Sequence, residues 1–316
     1  MDSGKVVVIG ASAGGIEASK ALMEQFPTSF PAAVFLTLHM FERSETILAS
    51  ILGAVAKLPV KYPGEKEPIV PGQIYVAPPD YHLVLSPGWV ALGHGPKENL
   101  QRPCINVMFR SAAKAYGPDA VGVILTGMLD DGASGLWEIK QSGGVAIVQD
   151  PKEAMYRSMP ESAIRGFDVD YIVRLGEMGA LLNKLVSGGA NVNEDYRSAT
   201  VENQFTNCNQ TCPECGGVMK RGRQARMYEY RCHVGHRLGL KTMISEKMEV
   251  IERAISAALA QTQELLDLLD QARQQGDSVT VSSLDDEIRL RREQESRLRA
   301  LLQEPIYNYS NNEWPG

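Results

Sequence analysis

The chain has 316 residues, which is enough for one large hydrophobic core or for several domains. Its hydrophobic fraction of 44% is ordinary for a globular protein, and its net charge of −6 disfavours general nucleic-acid binding. No apolar run is long enough to cross a bilayer, and the first residues lead directly into a predicted strand rather than a signal peptide. We therefore expect a cytoplasmic protein without membrane insertion.

The first predicted strand and the turn after it form the most informative stretch of the chain. Val6–Ile9 is a continuous β-branched run, as expected for a central parallel strand. Gly10, Ser12 and Gly14 then fit G-x-S-x-G, a sharp strand-to-helix turn that presents a serine hydroxyl. The alternative is a phosphate-binding loop, but the glycine spacing differs from G-x-G-x-x-G. The second strand also ends in His39, where a dinucleotide site needs an acid.

Predicted strands and helices alternate up to about residue 186. This pattern predicts an α/β fold with a doubly wound, mainly parallel sheet and helices on both faces. The predicted strands are 6–9, 33–38, 74–77, 83–85, 89–92, 121–125, 145–149 and 171–173. The predicted helices are 16–26, 44–52, 105–116, 132–141 and 178–186.

The composition changes after this region, and we divide the chain accordingly. A polar stretch rich in Asn, Gly, Ser and Glu reads as a linker, and it is followed by a compact group of Cys and His residues. The predicted parts are a catalytic domain at 1–187, a linker at 188–207, a zinc-ribbon-like module at 208–240, a helical hairpin or coiled coil at 241–304, and a tail at 305–316.

The Cys/His group predicts a structural metal site. A C-x-x-C turn at Cys212 and Cys215 is followed by Cys232 and His236, which together give a tetrahedral S₃N ligand set suited to zinc. Such a closed set leaves no open position for a substrate, so we predict no cofactor for catalysis. The reserve ligands are Cys208 and His233.

A heptad-like pattern follows the Cys/His group. Its apolar positions are spaced alternately four and three residues apart, which predicts an antiparallel helical hairpin that packs on itself or forms a homodimer. The predicted seam contains Ile244, Met248, Ile251, Ile255, Ala258, Thr262, Leu265 and Leu269, and a weaker second half contains Leu284, Ile288, Leu298 and Leu302, with Arg291 and Glu295 in the seam.

A carboxylate is needed to complete a serine hydrolase site. The run 121–125 is another buried strand that leads into a glycine-flanked turn with Asp130 and Asp131. Because ligands and catalytic groups gather at the carboxyl ends of parallel strands, these acids are expected at the same rim as Ser12 and His39. Cys104, which has apolar neighbours, is interpreted as a small buried residue.

A series of short segments carries a further signal through its order along the chain: 9–15, 38–40, 74–80, 95–99, 102–103, 122–128, 131–133 and 158–160. Together they resemble the chemotaxis receptor methylesterases, the CheB catalytic domain. The resemblance implies that Ser12 is the nucleophile, His39 the general base and then acid, and Asp131 the carboxylate that orients His39. Backbone N–H groups near Ala13 and Met128 are the candidates for the oxyanion hole, and Gly14 and Asp130 are expected in the same oxyanion and substrate vicinity.

The resemblance also implies a substrate and a partner. The substrate is the γ-glutamyl methyl ester on the cytoplasmic helices of methylated chemoreceptors, and glutamine deamidation accompanies it in many members of the family. Relatives often carry Thr at Ala13, Asn at Asp130 and Asp at Asn106. The Asp130–Asp131 pair could leave the orienting role ambiguous, because adjacent carboxylates raise each other's pKa.

Two features leave the interpretation open. A typical relative has an N-terminal receiver domain, whereas this sequence starts at the esterase, so we expect no regulation by phosphorylation in cis. The module is basic, which fits binding to nucleic acid or, equally, to acidic receptor helices or a partner protein. The alternatives to a methylesterase are an adaptor of little or no activity that acts through the zinc module and the coiled coil, or a hydrolase of an unrelated ester. The basic residues are Lys220, Arg221, Arg223, Arg226, Arg231 and Arg237.

Overall fold

The structure is a computed structural model that describes residues 4–40, 47–188, 205–275 and 278–303. It divides into two compact units, Met1–Met243 and Ile244–Gly316. The strands are β1 (Val6–Ala11), β2 (Ala33–Leu38), β3 (Val60–Lys61), β4 (Lys66–Pro68), β5 (Ile74–Val76), β6 (His82–Ser86), β7 (Trp89–Gly93), β8 (Ala120–Ile124), β9 (Val145–Gln149), β10 (Tyr171–Val173), β11 (Thr206–Thr211), β12 (Val218–Gln224), β13 (Met227–Cys232) and β14 (Arg237–Gly239). The helices are α1 (Gly15–Met23), α2 (Leu48–Gly53), α3 (Ile105–Tyr116), α4 (Ala133–Gln141), α5 (Ser158–Gly166), α6 (Leu175–Val186), α7 (Leu240–Gln275) and α8 (Ser278–Gln303).

A seven-stranded sheet forms the centre of the first unit. Its order is β10-β9-β8-β1-β2-β5-β3, and its paired strands are parallel. Alternate residues of β1 enter opposite cores: Val8 packs with α3, α4 and α5, whereas Val7 packs with α1, α2 and α6. The predicted doubly wound sheet with helices on both faces is therefore confirmed. Because β1 lies between β2 and β8, the ends of these three strands share one rim.

The differences from the predicted elements are local. The helix α5 was not predicted, because Pro160 and Gly166 interrupt its apolar pattern, although a proline is tolerated in the first helical turn. The predicted helix 44–52 is described only from Leu48, where α2 begins. The segments 83–85 and 89–92 leave the central sheet and form a separate antiparallel sheet of order β4-β7-β6.

The Cys/His module is a four-stranded antiparallel sheet of order β11-β12-β13-β14. Its small core includes Cys212, Met219 and Leu238, which are almost fully buried. The strand β11 begins at Thr206, near the end of the stretch 188–207 that was predicted as a linker. The stretch 189–204, which is most of that linker, lies outside the described residues.

The second unit contains nearly all of α7 and all of α8. Arg273 is 2.7 Å from Asp285, and Gln263 donates to Glu295 at 3.0 Å. These pairs run in opposite directions along the two helices, as in the predicted antiparallel hairpin. Leu266 is 7% exposed, whereas Leu265 is 38% exposed, so the predicted seam is displaced by one residue there.

No helix in the described part of the chain has the length and apolarity needed to span a bilayer. The predicted tail 305–316 lies outside the described residues.

Candidate active site

The turn after β1 presents Ser12 at the rim of the sheet. Gly14 has a φ of 72°, a left-handed conformation that favours glycine, and α1 begins at the next residue. The Ser12 N–H donates to the carbonyl of Thr126 at 3.0 Å, which ties the turn to the loop after β8. A Cβ at Gly127 would lie 2.9 Å from the Cβ of Ser12, so this loop can approach the serine only with glycine there.

His39 follows β2 and lies between Ser12 and Asp131. Its backbone N–H donates to the carbonyl of Ala11 at 3.2 Å, which fixes the residue beside β1. The ring atom Nδ1 is 3.1 Å from Ser12 Oγ, and Nε2 is 2.7 Å from Asp131 Oδ2. With the Nε2–H donated to the carboxylate, Nδ1 carries the lone pair that faces the serine hydroxyl.

Asp131 is a buried carboxylate held at the N-terminus of α3. The backbone N–H of Ile105 donates to it at 2.8 Å and that of Asn106 at 3.3 Å. Burial alone raises the pKa of the Asp131 carboxyl, but the hydrogen bond and charge of His39, with the N–H donors, bring this pKa to about 2. The helix N-terminus also favours the anion. The carboxylate is therefore ionised and fixed at neutral pH.

Two side chains that sequence reasoning did not select also hold Asp131. Asn99 Nδ2 donates to Oδ1 at 3.0 Å, and the Cys104 thiol donates to the same oxygen at 3.2 Å. Cys104 is fully buried, as predicted, and burial raises the pKa of its thiol well above the usual value. Asn99 ends one of the segments that match the family, 95–99, but no signal in the sequence assigned it a contact with Asp131.

Asp130 faces away from His39, although it is adjacent to Asp131. Its carboxylate accepts hydrogen bonds from the N–H of Lys241 at 2.9 Å and from Thr242 Oγ1 at 2.6 Å. Burial is the largest cause that raises the pKa of Asp130, and these donors oppose it. The two adjacent carboxylates therefore occupy different sites: Asp131 contacts His39, and Asp130 contacts the start of α7.

The remaining predicted positions lie around Ser12. Within the described residues, no backbone acceptor is hydrogen-bonded to the N–H of Ala13 or Met128. The carbonyl of Ala13 accepts from Thr126 Oγ1 at 3.0 Å. Asn106, which departs from the family pattern, accepts from the Gly135 N–H at 2.7 Å and so joins α3 to α4.

The predicted metal ligands converge in the module. One ligand atom from each of Cys212, Cys215, Cys232 and His236 lies within 4.8 Å of every other. Cys215 Sγ is 3.8 Å from Cys232 Sγ, and His236 Nδ1 is 3.5 Å from Cys232 Sγ and 3.6 Å from Cys212 Sγ. A tetrahedral zinc with Zn–S near ~2.3 Å and Zn–N near ~2.0 Å places its ligands at about these separations. The cluster therefore has the geometry and donor chemistry of a metal site.

The reserve ligands lie outside the cluster, and five of the six basic residues have contacts within the first unit: Arg221 and Arg223 lie over the ring of Tyr228, and the other three form ion pairs. Cys208 donates to the carbonyl of Met219 at 3.2 Å, outside the four-residue cluster. Arg226 pairs with Asp168, and Arg231 pairs with Glu229. His233 packs against Gly217 rather than joining the cluster, and Arg237 lies near two glutamates.

A serine, an imidazole and a buried carboxylate in hydrogen-bonded series, at the carboxyl ends of parallel strands, define the geometry of a serine hydrolase. A sequence profile of the CheB methylesterase family matches residues 7–182. The chain belongs to the CheB methylesterase family.

Individual relatives support this assignment. The crystal structure of the Thermotoga maritima CheB methylesterase catalytic domain is 33% identical, with a TM-score of 0.55, over 58% of this chain and 98% of that one. The Geobacter metallireducens protein-glutamate methylesterase/protein-glutamine glutaminase 1 is 40% identical over 55% of this chain and 49% of its own length. A Leptospira interrogans protein is 40% identical over 57% of this chain and 94% of that protein. The module and the C-terminal helices lie beyond the matched domain.

Proposed function

We propose that the chain hydrolyses γ-glutamyl methyl esters of chemoreceptors to glutamate and methanol, and deamidates receptor glutamines at the same site. The observation that carries this proposal is the series of hydrogen bonds from Ser12 through His39 to Asp131. The family and the names of the relatives supply the substrate class. The cytoplasmic faces of chemoreceptors are then the partner, and the cytoplasm is the location.

In the first step, Ser12 Oγ attacks the ester carbonyl while Nδ1 of His39 takes the hydroxyl proton. The imidazolium that forms is stabilised by Asp131, which stays ionised because the pKa of its carboxyl is about 2. The same proton then passes to the departing methoxide, which leaves as methanol. For a glutamine substrate the leaving group is ammonia.

In the second step, water hydrolyses the acyl-enzyme. His39 Nδ1 removes a proton from the water as the water oxygen attacks the acyl carbonyl. The same proton then passes from Nδ1 to Ser12 Oγ as the bond between Oγ and the acyl carbon breaks, which releases the glutamate side chain and restores Ser12. In both steps, the N–H groups of Ala13 and Met128 are the proposed donors to the oxyanion. The loss of one such donor lowers rates by about a hundredfold or more.

We also propose that the Cys/His cluster is a structural zinc site. Cys212, Cys215, Cys232 and His236 would hold the ion, which would supply a cross-link between the two turns of the module and no reacting group. The division into a catalytic domain at 1–187 and a module at 208–240 is proposed with it. The long helices α7 and α8 are proposed to form a homodimer or a docking arm.

Receptor membranes carrying methylated glutamates test the activity. We expect the full chain to release methanol and the Ser12→Ala variant to release none above the background. A Gly176→Ala variant serves as a control, because a Cβ at that exposed position of α6 meets nothing within 4 Å. Equal release from the full chain and Ser12→Ala would exclude the mechanism, and no release from a folded, zinc-loaded chain would favour the adaptor.

A further inference from the structure

Within the first compact unit, the Cys/His module lies against the esterase at the elements that carry the two aspartates. At the tip of the β12–β13 hairpin, Gln224 accepts a hydrogen bond from Ser134 Oγ at 2.6 Å and is only 2% exposed. The next contact is the N–H of Arg226, which donates to the carbonyl of Gly166 at 3.1 Å. The hairpin is thereby fixed to α4 and α5.

A second contact is ionic and lies near β14. Arg237 is 3.7 Å from Glu98 and 3.6 Å from Glu229. Glu98 is also paired with Arg110 of α3 at 2.5 Å. The carbonyl of Arg237 accepts the N–H of Asn99 at 2.7 Å, so the pairing continues into the backbone. Charges from the module and from the esterase therefore neutralise one another in a largely buried network.

Asn99 connects this contact to the catalytic carboxylate. Its Nδ2 donates to Asp131 at 3.0 Å, and its Oδ1 accepts the N–H of Gly239 in β14 at 2.8 Å. The residue is 5% exposed and has a φ of 49°, a left-handed conformation that asparagine tolerates better than most residues. One side-chain amide is thus shared between the module and Asp131, with both of its ends in use.

Asp130 makes a parallel connection. It accepts hydrogen bonds from Lys241 and Thr242, the first residues of α7, in the position of an N-terminal cap. A Cβ at Gly239 would lie 2.6 Å from the Asp130 carboxylate carbon, so β14 and this loop fit together only with glycine at 239. The two neighbouring aspartates are therefore both held where the module joins α7: Asp130 accepts from Lys241 and Thr242 directly, and Asp131 is held through Asn99, which accepts from Gly239.

We propose that Asn99 is a positioning residue through which the folded Cys/His module holds Asp131 in register with His39. This inference rests on the proposed function for its kinetic consequence, but its structural consequence can be measured independently. The module is then a working part of the catalytic centre rather than only a docking element. The rate of the esterase depends on whether β14 is in place.

Two substitutions break the two ends of the connection separately in the full, zinc-loaded chain. Asn99→Asp keeps the acceptor for Gly239 but replaces the donor to Asp131 with a carboxylate oxygen. Gly239→Ala forces β14 away from Asp130 and from Asn99, and touches no proposed catalytic group. Gly176→Ala is the matched control, a glycine-to-alanine change in open space. If Gly239→Ala does not fold, Thr242→Val replaces it, since it is isosteric and removes one donor to Asp130.

We expect Asn99→Asp and Gly239→Ala each to lower kcat by about tenfold or more, which is the loss typical of a hydrogen bond to a buried charge. The KM of each should change by less than about twofold. The double variant Asn99→Asp/Gly239→Ala should be no slower than Asn99→Asp alone, because Asn99→Asp already breaks the connection between β14 and Asp131. Hydrogen exchange at the Ile105 and Asn106 amides, which donate to Asp131, should be faster in Gly239→Ala and unchanged in Gly176→Ala. The last readout requires no activity.

Independent, multiplying losses in the double variant would overturn the proposal. So would unchanged exchange at Ile105 and Asn106 in a Gly239→Ala protein whose Lys241 and Thr242 amides have become exposed. If the wild-type chain releases no methanol, the proposed function fails while the exchange comparison still decides whether Asn99 transmits the position of β14. Faster exchange without any esterase activity would thus retain the connection and reject the reaction.

Discussion

The rim around Asp131 and the Cys/His module each bring acidic groups together, but the two regions hold these groups in different ways. At the rim, the carboxylate is held by backbone N–H groups, by Asn99 and by the start of α3, all supplied by the fold. In the module, thiols and an imidazole converge with separations that fit a metal ion. Burial raises the pKa of the Cys212 thiol to about 11, so without a cation this group stays protonated.

This difference indicates that the rim is preorganised by the fold, whereas the folding of the module is conditional on a bound metal. The backbone donors to Asp131, the N–H groups of Ile105 and Asn106, are present whenever α3 is folded, so the carboxylate is held before any substrate binds. The module has a core of few residues and would depend on its metal for stability, as small metal-binding domains do. Because Asn99 contacts both regions, the conditional region is expected to influence the preorganised one.

The largest effect is expected from the aspartate at the rim. Asp131→Asn should lower kcat by roughly a thousandfold or more, because an amide there no longer fixes the His39 tautomer or stabilises the imidazolium. Asp130→Asn is the matched control: it keeps an acceptor for the start of α7 and should lower kcat by less than about tenfold. Methanol release by the two purified variants decides this, and the reverse ranking would show that the wrong carboxylate has been assigned.

Removal of the metal should give the next largest effect. Chelation, or a Cys232→Ser substitution, should unfold the module and lower kcat by about tenfold, the loss expected when Asn99 no longer has both partners. The central sheet should keep its far-ultraviolet circular dichroism signal. Full activity after complete metal loss, with the metal measured by atomic emission, would separate the two regions and contradict their coupling.

The free energy of unfolding should fall as the pH is lowered into the range in which Asp131 becomes protonated. The pKa of Asp131 is lowered in the folded protein from 3.8 to about 2, so its ionised form stabilises the fold at neutral pH. This contribution, on the order of 2 kcal/mol, is complete above the unfolded pKa and is lost as pH falls towards the folded pKa. Urea unfolding of the wild type and Asp131→Asn should differ less at pH 3 than at pH 6. A difference independent of pH would contradict this ionisation.

The second unit extends the comparison to a region outside the esterase, which has neither a catalytic carboxylate nor a metal cluster among its described residues. Leu266→Ala removes a side chain that is 7% exposed and should lower the free energy of unfolding by about 2–4 kcal/mol. Leu265→Ala, at 38% exposure, should lower it by less than about 1 kcal/mol. Equal losses would support the seam predicted from the heptad spacing instead.

Much of the first unit was accessible from sequence because its signals are local. The β-branched runs predicted the central strands, and the glycine turn with Ser12 predicted where the rim lies. Strand order then placed His39 and Asp131 beside that serine, since β1 lies between β2 and β8. The four residues of the Cys/His cluster were equally accessible, because two tight turns with fixed spacings determine which atoms can converge.

The features that could not be predicted from the sequence depend on contacts between segments that are far apart in the chain. Asn99 lies in a segment that matches the family, 95–99, but its contact with β14 joins residues that are 140 positions apart and has no signal in the local sequence. Asp130 looked like a competitor for His39 because adjacency in sequence was the available information, whereas its partners are at the start of α7. The helix α5 was missed because its proline and glycine weaken a pattern that tertiary packing overrides.

The most direct test of the central claim is to trap the acyl-enzyme. A methylated receptor peptide is mixed with the full chain, quenched in acid, and digested for mass spectrometry. We expect the peptidyl-glutamyl group on Ser12, with a mass equal to the peptide less methanol, and we expect no adduct in Ser12→Ala. Methanol release that continues undiminished in Ser12→Ala, with no adduct on Ser12 of the wild type, would contradict the account.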